Sequence, residues 1–560
     1  MEEKELRDLI VRGESLKTEF KRDAGDDNDF VEAAVCLANT EGGYVLLGVE
    51  DDGEITGLTP RRLELGEDAI TAQISNRTVP SLRTKVVITA LGDHYVAVIH
   101  VQKSRVIIQT SKGLAYHRFL VHKKNPECKP MRPHDMASRL GHFGDFDYSS
   151  QPVSQATWQD LDPLEFVRLR KTIDRNPTSD RALLELGNED LSKALGITVT
   201  QEGRLVPTVA GMLLVGDQNS MRRYVPGHEV SFQEFGPNLE ARFNEFYRGP
   251  LIRLFQRFEE LLEARNNEQE FDFAMQRIGI PRYPRAAFRE ALANALTHRD
   301  YTINNAVYVQ LDARQKGLSI TSPGGFVEGV HLDNLLTTSP KPRNRPLADV
   351  FKRLGLVERM GRGIARIFAE VLGYGRPAPS YEGSTRDSVK VFIPSGEADI
   401  AFVRLIMETR ERYQYPVDWR HLLILRRVAD EGELTTREAS NLIQNDEVVT
   451  RSLLEAMVEL GLLEPRGTKR SRVYHLSSGV YQSFGKPSAY VRRKGFSDLQ
   501  REQMIVNYLE DYQTISRAEV AKLCQLSDSQ AEYLLRKLRK ADKIELIGRG
   551  RGAHYQLKDE

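Results

Sequence analysis

Cysteine and tryptophan are scarce, with 3 and 2 residues in a chain of 560. Cys36, Cys128 and Cys524 are odd in number, far apart and in no CxxC pair, so neither a disulfide framework nor a structural zinc site is expected. An excess of one charge is absent as well. Lys+Arg and Asp+Glu stand equal at 79 each, and without a net field any binding of polyanions must come from local basic patches. Long apolar runs are missing too. None approaches the ~20 residues of a membrane helix, and the acidic start MEEKELRDL reads as neither a signal nor a transit peptide. A cytoplasmic protein without a membrane partner is expected.

What is present is globular in composition, 40% hydrophobic and 28% charged, at a length that implies several domains of about 100–200 residues. Up to about residue 140, short strands and helices mix as in an α+β unit. Residues 6–10 and 30–39 carry helical apolar faces, and 43–49 is a compact strand. Asp51-Asp52-Gly53 makes a turn, and further strands are expected at 85–88, 95–101 and 114–119. GHFGDFDYSS at 141–150 reads as the exit. Residues 151–285 have helical spacing at 161–173 and 251–262, leave 207–215 open between helix and strand, and show no legible chemistry. From Arg285 a helix leads to strands at 307–311 and 318–320, a glycine-rich loop and helices to Phe368.

The C-terminal third repeats itself. Residues 434–476 and 515–557 each read as short helix, turn, second helix and basic hairpin, the order of a winged helix-turn-helix. Thr435 with Glu438, Ser516 with Glu519 and Ser527 with Gln530 fit reciprocal capping boxes, which satisfy orphan N–H groups at a helix start. Leu453, Leu454, Met457, Leu460 and Leu463, and in the second copy Leu534, Leu535, Leu538 and Ile544, form core-facing stripes. The candidate phosphate contacts are Arg466, Lys469, Arg470 and Arg472 in the first copy. In the second they are Arg536, Lys537, Arg539, Lys540, Arg549 and Arg551. These suit duplex DNA more than RNA. The alternative use of such units is packing against another subunit, with the basic residues as a solvated face.

A second constellation begins at PRAAFREALANALTHRDY, where Glu290, Asn294 and His298 recur at i, i+4 and i+8 along one side of a helix. A carboxylate can deprotonate water while a carboxamide oxygen ligates the Mg²⁺ that bridges phosphates. Ser322-Pro323-Gly324-Gly325 follows a strand, and Gly361-Arg362-Gly363 opens the helix near Ile364, where backbone N–H groups can meet phosphate. The order of these signals, in REALANALTHRDY, ITSPGGFVEGVHLDNLL and RNRPLADVFKRLGLVERMGRGIARI, resembles the GHKL ATPases, in particular the bacterial branch named for the C-terminal region of a helicase-like protein. The resemblance implies Glu290 as catalytic base, Asn294 as Mg²⁺ ligand, Gly324 and Gly325 as the first glycine box and Gly361 and Gly363 as the second. Residues 327–360 would form a lid over bound ATP. Ser322 stands where such proteins usually carry the aspartate that reads the adenine amino group. His298-Arg299-Asp300 with Asn305 matches the kinase spacing HRDxxxxN, but the other kinase elements are missing and coincidence is the simpler reading.

The third constellation comprises GESLKTEFKR at 13–22 and VCLANTEGGYVLLGVEDDGEITGL at 35–58. If the strands around Glu14, Glu19 and Asp51 are adjacent, the three carboxylates could hold a divalent metal that activates water for phosphodiester cleavage, with Lys17 and Lys21 on the backbone phosphates. Equally, Glu19 and Lys21 could pair on a strand surface while Asp51 only makes a turn. ESLKTEFK, the ANTEGG turn and GVEDDG resemble the Schlafen AlbA_2 domain over roughly residues 8–125. Eukaryotic members of that family use a related trio of acids to cut RNA, and bacterial members are mostly labelled DNA-binding.

The expected architecture is multidomain α+β. It comprises an AlbA_2-like α+β domain at 1–140, a middle connector at 141–284, a GHKL-type α/β sandwich at 285–400, and tandem winged helices at 401–485 and 486–560. The expected function is an ATP- and Mg²⁺-binding, DNA-binding regulator, a homo-oligomer with ATPase activity, in which nucleotide state controls nucleic-acid engagement. The alternative is an ATP-gated, Mg²⁺- or Mn²⁺-dependent nuclease acting on RNA or DNA in antiviral defence.

Overall fold

The computed structural model describes residues 3–23, 27–121, 125–273, 276–357, 362–413, 415–467, 472–477, 480, 501–502, 504–506, 508–509, 513–524, 526–541, 543–548 and 553–558. Near the N-terminus, strand Thr18–Lys21 runs parallel to Gly43–Leu47, which pairs antiparallel with His94–Val101, itself antiparallel to Thr84–Leu91. Period-two alternation buries both faces of this sheet. Val45, Leu47, Ala97 and Ile99 face one cluster with Phe30, Ala34 and Ile70, whereas Leu46, Val96 and Val98 face Leu6 and Phe20. Helices Asp27–Ala38 and Pro60–Asn76 therefore cover one side and helix Glu3–Arg12 the other. The last of the unit, helix Pro133–Phe143, leads out of it.

The expectation that no disulfide forms is corrected here. Cys36 of the buried helix is bonded to Cys128 of strand Asn125–Pro130, with Cα atoms 6.1 Å apart. A separation of 92 residues hides the pair in the sequence. Hairpin pairing of Tyr116–Val121 with Asn125–Pro130 brings it together.

A five-stranded sheet follows, in the order Ala241–Tyr247, Val230–Phe235, Val307–Asp312, Gly317–Pro323, Ser388–Pro394. Only the pairing of Val230–Phe235 with Val307–Asp312 is parallel. Two of its strands precede residue 285, so the middle region contributes directly to this sheet. Helix Leu251–Glu263 buries Leu254, Phe255, Phe258 and Leu262, and helix Arg285–Thr297 buries an Ala/Leu face.

Helix Trp419–Glu431 leads into the first repeat copy, which has strand Leu434–Thr435, helices Thr436–Ile443 and Glu447–Glu459, and strands Leu463–Arg466 and Val473–Leu476. Its three strands form one sheet with Val473–Leu476 in the middle. The second copy has helices Arg517–Cys524 and Asp528–Lys540 and paired strands Ile544–Ile547 and His554–Leu557. All three expected capping boxes are present: Thr435 and Glu438, Ser516 and Glu519, and Ser527 and Gln530 bond reciprocally. One continuous core runs from Ala156 through the five-stranded sheet to Val480 and takes in the first copy. The second copy has a core of its own around Ile515, Leu534 and Leu538. Among the described residues no helix is long and apolar enough to cross a membrane.

Candidate functional site

Helix Arg285–Thr297 is built from strong helix formers and packs an alanine-rich face inward. This lets the chain bury Glu290, 2% exposed, on the edge of a cavity of about 1410 Å³. Asn294 and His298 line the same cavity one and two turns later. Burial, reinforced by the Arg343 guanidinium, pushes the His298 imidazole down to about 4, so this ring is neutral at pH 7.

Opposite stands the start of helix Gly363–Gly373, whose cap residue Arg362 supplies no side-chain bond to the helix N–H groups. A Cβ on Gly363 would lie 2.7 Å from Glu290 Oε2 and 3.6 Å from Asn294 Nδ2. The Glu290 carboxylate thus approaches the helix backbone closely, and a side chain at this position would have to displace it. Arg366, one turn on, places Nη1 3.7 Å from Glu290 Oε1. Gly361 lies outside the described residues. On the sheet side, Ser322 is buried and donates from Oγ to the Ala295 carbonyl at 2.7 Å. Gly324 and Gly325 line the cavity, and a side chain on either would strike Asp300 Cβ at 2.6 Å or the Arg386 carbonyl at 2.1 Å.

Lys341, Arg345, Lys352, Arg362, Arg366 and Arg420 face Glu290, Asp349 and Asp418 in the lining. Six cations against three carboxylates make the cavity suited to a polyanion. Two helix starts add to this, since Asp418, Trp419 and Arg420 begin helix Trp419–Glu431, which leads into the first repeat copy. The Asp418 carboxyl is pushed up by burial, but hydrogen bonds from His421 and Arg420 outweigh this and hold it below the usual carboxylate range.

The segment between the glycine pair and helix Arg345–Arg353 is anchored at several points. Glu328 accepts from Lys103 at 3.2 Å and lies 3.1 Å from His142 Nε2, both belonging to the N-terminal region. Gln444, in left-handed conformation at the end of helix Thr436–Ile443, accepts from Leu336 N at 2.7 Å and donates to the Leu332 carbonyl at 2.6 Å. Arg343 bonds the Gly325 carbonyl at 2.9 Å, and Asn344 bonds the carbonyls of Thr297 and Arg299. The HRDxxxxN match proves structural: buried Arg299 donates to the Asn305 and Gly227 carbonyls, and Asp300 accepts from Ser138 and Thr302.

The strands beside the acidic trio are adjacent and parallel, with Glu19 opposite Val45, and each acid has its own surroundings. Glu19 is buried and bound by Arg118, with Lys21 Nζ 2.6 Å from its other oxygen. Glu14 accepts from Phe20 N at 2.9 Å, and Asp51 sits exposed in its turn. Among the described residues no group of three His, Cys, Asp or Glu is placed to hold a metal ion. The physical reason is local charge. A buried carboxylate already neutralised by arginine and lysine needs no divalent ion, and Arg118 comes from a hairpin about which the motif says nothing. Lys21 is therefore an ion-pair partner, and Lys17 is exposed.

In the first repeat copy Arg472 is paired with Glu455 at 2.9 Å and Arg466 is half-buried. Lys469 and Arg470 lie outside the described residues, as do Arg549 and Arg551 of the second copy. Arg536, Lys537, Arg539 and Lys540 are all exposed on helix Asp528–Lys540. Arg536 pairs with Glu532 at 3.2 Å and Lys537 with Glu502 at 2.8 Å. The sequence motifs do not point to Lys341, Arg343, Arg366, Arg420 or Gln444. Only the arginines in RNRPLADVF and GRGIARI carry any local signal.

Residues 14–127 match the family described as Schlafen, AlbA_2. Residues 308–393 match the one described as "Putative ATP-dependent DNA helicase recG C-terminal", and residues 142–231 match a domain of unknown function. No curated protein matches the chain. Among solved structures, the DIP2311 protein from Corynebacterium diphtheriae is 20% identical with a TM-score of 0.50, over 99% of this chain and 98% of that one, a likeness of fold. The N-terminal domain of a helicase RecG-related protein from Nitrosomonas europaea is 24% identical with a TM-score of 0.16, over 18% of this chain and 74% of that one. The chain thus contains a Schlafen AlbA_2 domain and a RecG-like C-terminal domain.

Proposed function

We propose that this protein is an ATP-binding, DNA-binding regulator in which nucleotide state controls nucleic-acid engagement. The cavity carries the reading. It sets a buried carboxylate and a carboxamide on one helix against the start of another, within a lining of six cations and three carboxylates. A triphosphate fits that chemistry, because helix N–H groups and cations offset its charge. The family match at 308–393, whose description joins ATP and DNA, supports it. So does the AlbA_2 match.

In this reading Asn294 would hold Mg²⁺, which would supply positive charge beside the phosphates, and Glu290 would take the proton of the attacking water. Gly363 brings the helix backbone close. Residues 327–357, the described part of the lid expected at 327–360, act as that lid. Its ties to Lys103 and His142 on one side and to Gln444 on the other mean that closure moves groups belonging to both flanking units. The winged-helix reading of the repeats supplies the DNA contacts, chiefly through Arg536, Lys537, Arg539 and Lys540.

The test is anisotropy of a labelled duplex titrated with full-length protein at fixed salt, without nucleotide, with ADP and with a non-hydrolysable ATP analogue. Coupling predicts that affinities differ by roughly fivefold or more between nucleotide states. Equal affinities in all three arms refute the regulation.

A further inference from the structure

Helix Trp419–Glu431 leads directly into the first repeat copy at 434–476, and its first turn lines the cavity. Its direction follows from Arg426, which donates from Nη1 at 2.7 Å to the carbonyl of Gly375, just beyond the end of helix Gly363–Gly373. Arg426 lies two turns after Trp419, so the earlier turns run back along the neighbouring helix toward its start. Both helix starts then open on one chamber, whose lining includes Gly363, Ile364, Trp419 and Arg420.

Arg420 is the cation that this helix contributes. Its guanidinium donates from Nε and Nη2 to Asp418 Oδ2 at 2.9 and 2.5 Å. Asp418 has other partners: Oδ1 caps the helix by accepting from Arg420 N at 3.0 Å and lies 2.8 Å from His421 Nδ1. The carboxylate therefore remains bonded if the guanidinium turns away. Exchanging the carboxylate oxygen for a phosphate replaces two charge-assisted bonds with others of the same kind, and the planar guanidinium fork suits phosphate oxygens.

The geometry points to a polyphosphate contact supplied by the helix that leads into the first repeat copy: Arg420 leaves Asp418 and binds the phosphates of the nucleotide in the cavity. This rests on the nucleotide reading above and deepens it. The copy is then a wall of the binding site, and Gln444 ties the same copy to the lid through Leu332 and Leu336. Ligand phosphates, lid and repeat copy move together because each is bonded to the next.

Calorimetry on the full chain tests it, with the Mg²⁺ complex of a non-hydrolysable ATP analogue and, separately, adenosine as titrants. Arg420→Ala should weaken the triphosphate roughly tenfold and leave adenosine unchanged, and Arg420→Lys should recover part of the affinity, because a point charge replaces the fork. An unchanged triphosphate affinity in Arg420→Ala overturns the proposal. So does an equal weakening for adenosine, which marks general disruption of the pocket. If wild type binds neither titrant, the nucleotide reading itself fails, an outcome distinct from wild-type binding that Arg420→Ala does not alter.

Discussion

Gly363→Ala probes the cavity at its narrowest point. The added Cβ would sit 2.7 Å from Glu290 Oε2, well inside van der Waals distance, and Glu290 is buried at 2% exposure. The carboxylate must swing away or the helix start must retreat, and overpacking of this kind costs about 1–3 kcal/mol. Replacing glycine by alanine also restricts the unfolded chain, which offsets about 0.4–1 kcal/mol. A net destabilisation of up to about 2 kcal/mol follows, smaller the more freely the carboxylate can swing into the cavity. Gly373→Ala, at the other end of the same helix, is the control. Nothing lies within 4 Å of its Cβ position, so only the favourable term remains. The assay is the thermal midpoint of the transition that reports the five-stranded sheet, with ATP affinity measured in parallel. Gly363→Ala should melt a few degrees lower and bind ATP more weakly, while Gly373→Ala should melt at the same temperature or higher. A cycle with Glu290→Ala removes the colliding carboxylate, so the penalty of the added methyl should largely vanish in the double mutant. Equal midpoints and equal ATP affinities for the two glycine variants would refute the assigned close approach.

Asn294→Ala should weaken Mg²⁺-ATP by removing a metal ligand, while Glu290→Gln should bind ATP and lose hydrolysis; calorimetry and phosphate release separate the two. Replacing Arg536, Lys537, Arg539 and Lys540 by alanine should flatten the salt dependence of duplex binding by close to one unit of slope for each phosphate no longer neutralised, and an unchanged slope would assign that helix to protein packing. The His228 imidazole is buried, and burial together with the Arg299 charge pushes it down to about 3. The unfolded ring titrates near 6.5, so its contribution is complete above that pH and is lost as pH falls from about 6.5 toward 3, reaching about 2 kcal/mol by pH 5. His228→Gln should therefore lose less thermal stability than wild type between pH 7 and pH 5.

The readable part of the site is the part written within single elements. Glu290 and Asn294 lie one turn apart on a helix with an Ala/Leu face, and each glycine box adjoins a strand or helix signalled by its own pattern. The capping boxes are equally local. What escapes comes from tertiary packing: Gln444 reaches Leu336 across 108 residues and Lys103 reaches Glu328 across 225. The parallel pairing of Val230–Phe235 with Val307–Asp312 also joins the sheet from a region whose strands carry no distinctive pattern. The acidic trio shows the same limit from the other side. Adjacency of its strands is legible, but the charge partner of Glu19 is Arg118, in a hairpin that periodicity can place and not orient.

The two repeat copies share an order of elements and differ in what they expose. Helix Glu447–Glu459 of the first copy presents Glu447, Val448, Val449, Arg451, Ser452 and Glu459 to solvent. A face with one cation against two carboxylates gains little counterion-release energy on a duplex, and its acids repel the phosphates. Helix Asp528–Lys540 of the second copy ends in four exposed cations, of which Arg536 and Lys537 are engaged in ion pairs and Arg539 and Lys540 form none among the described residues. The cores divide in the same way. The first copy shares a continuous core with the cavity unit, and the second is packed around its own. A unit fused to the nucleotide site can transmit a change in that site, because a close-packed interface shifts as a body instead of deforming gradually. A unit with its own core and a cationic helix can move as a body and grip phosphate. On the proposed function, the duplicated unit has therefore divided its work, with the first copy sensing nucleotide and the second engaging nucleic acid.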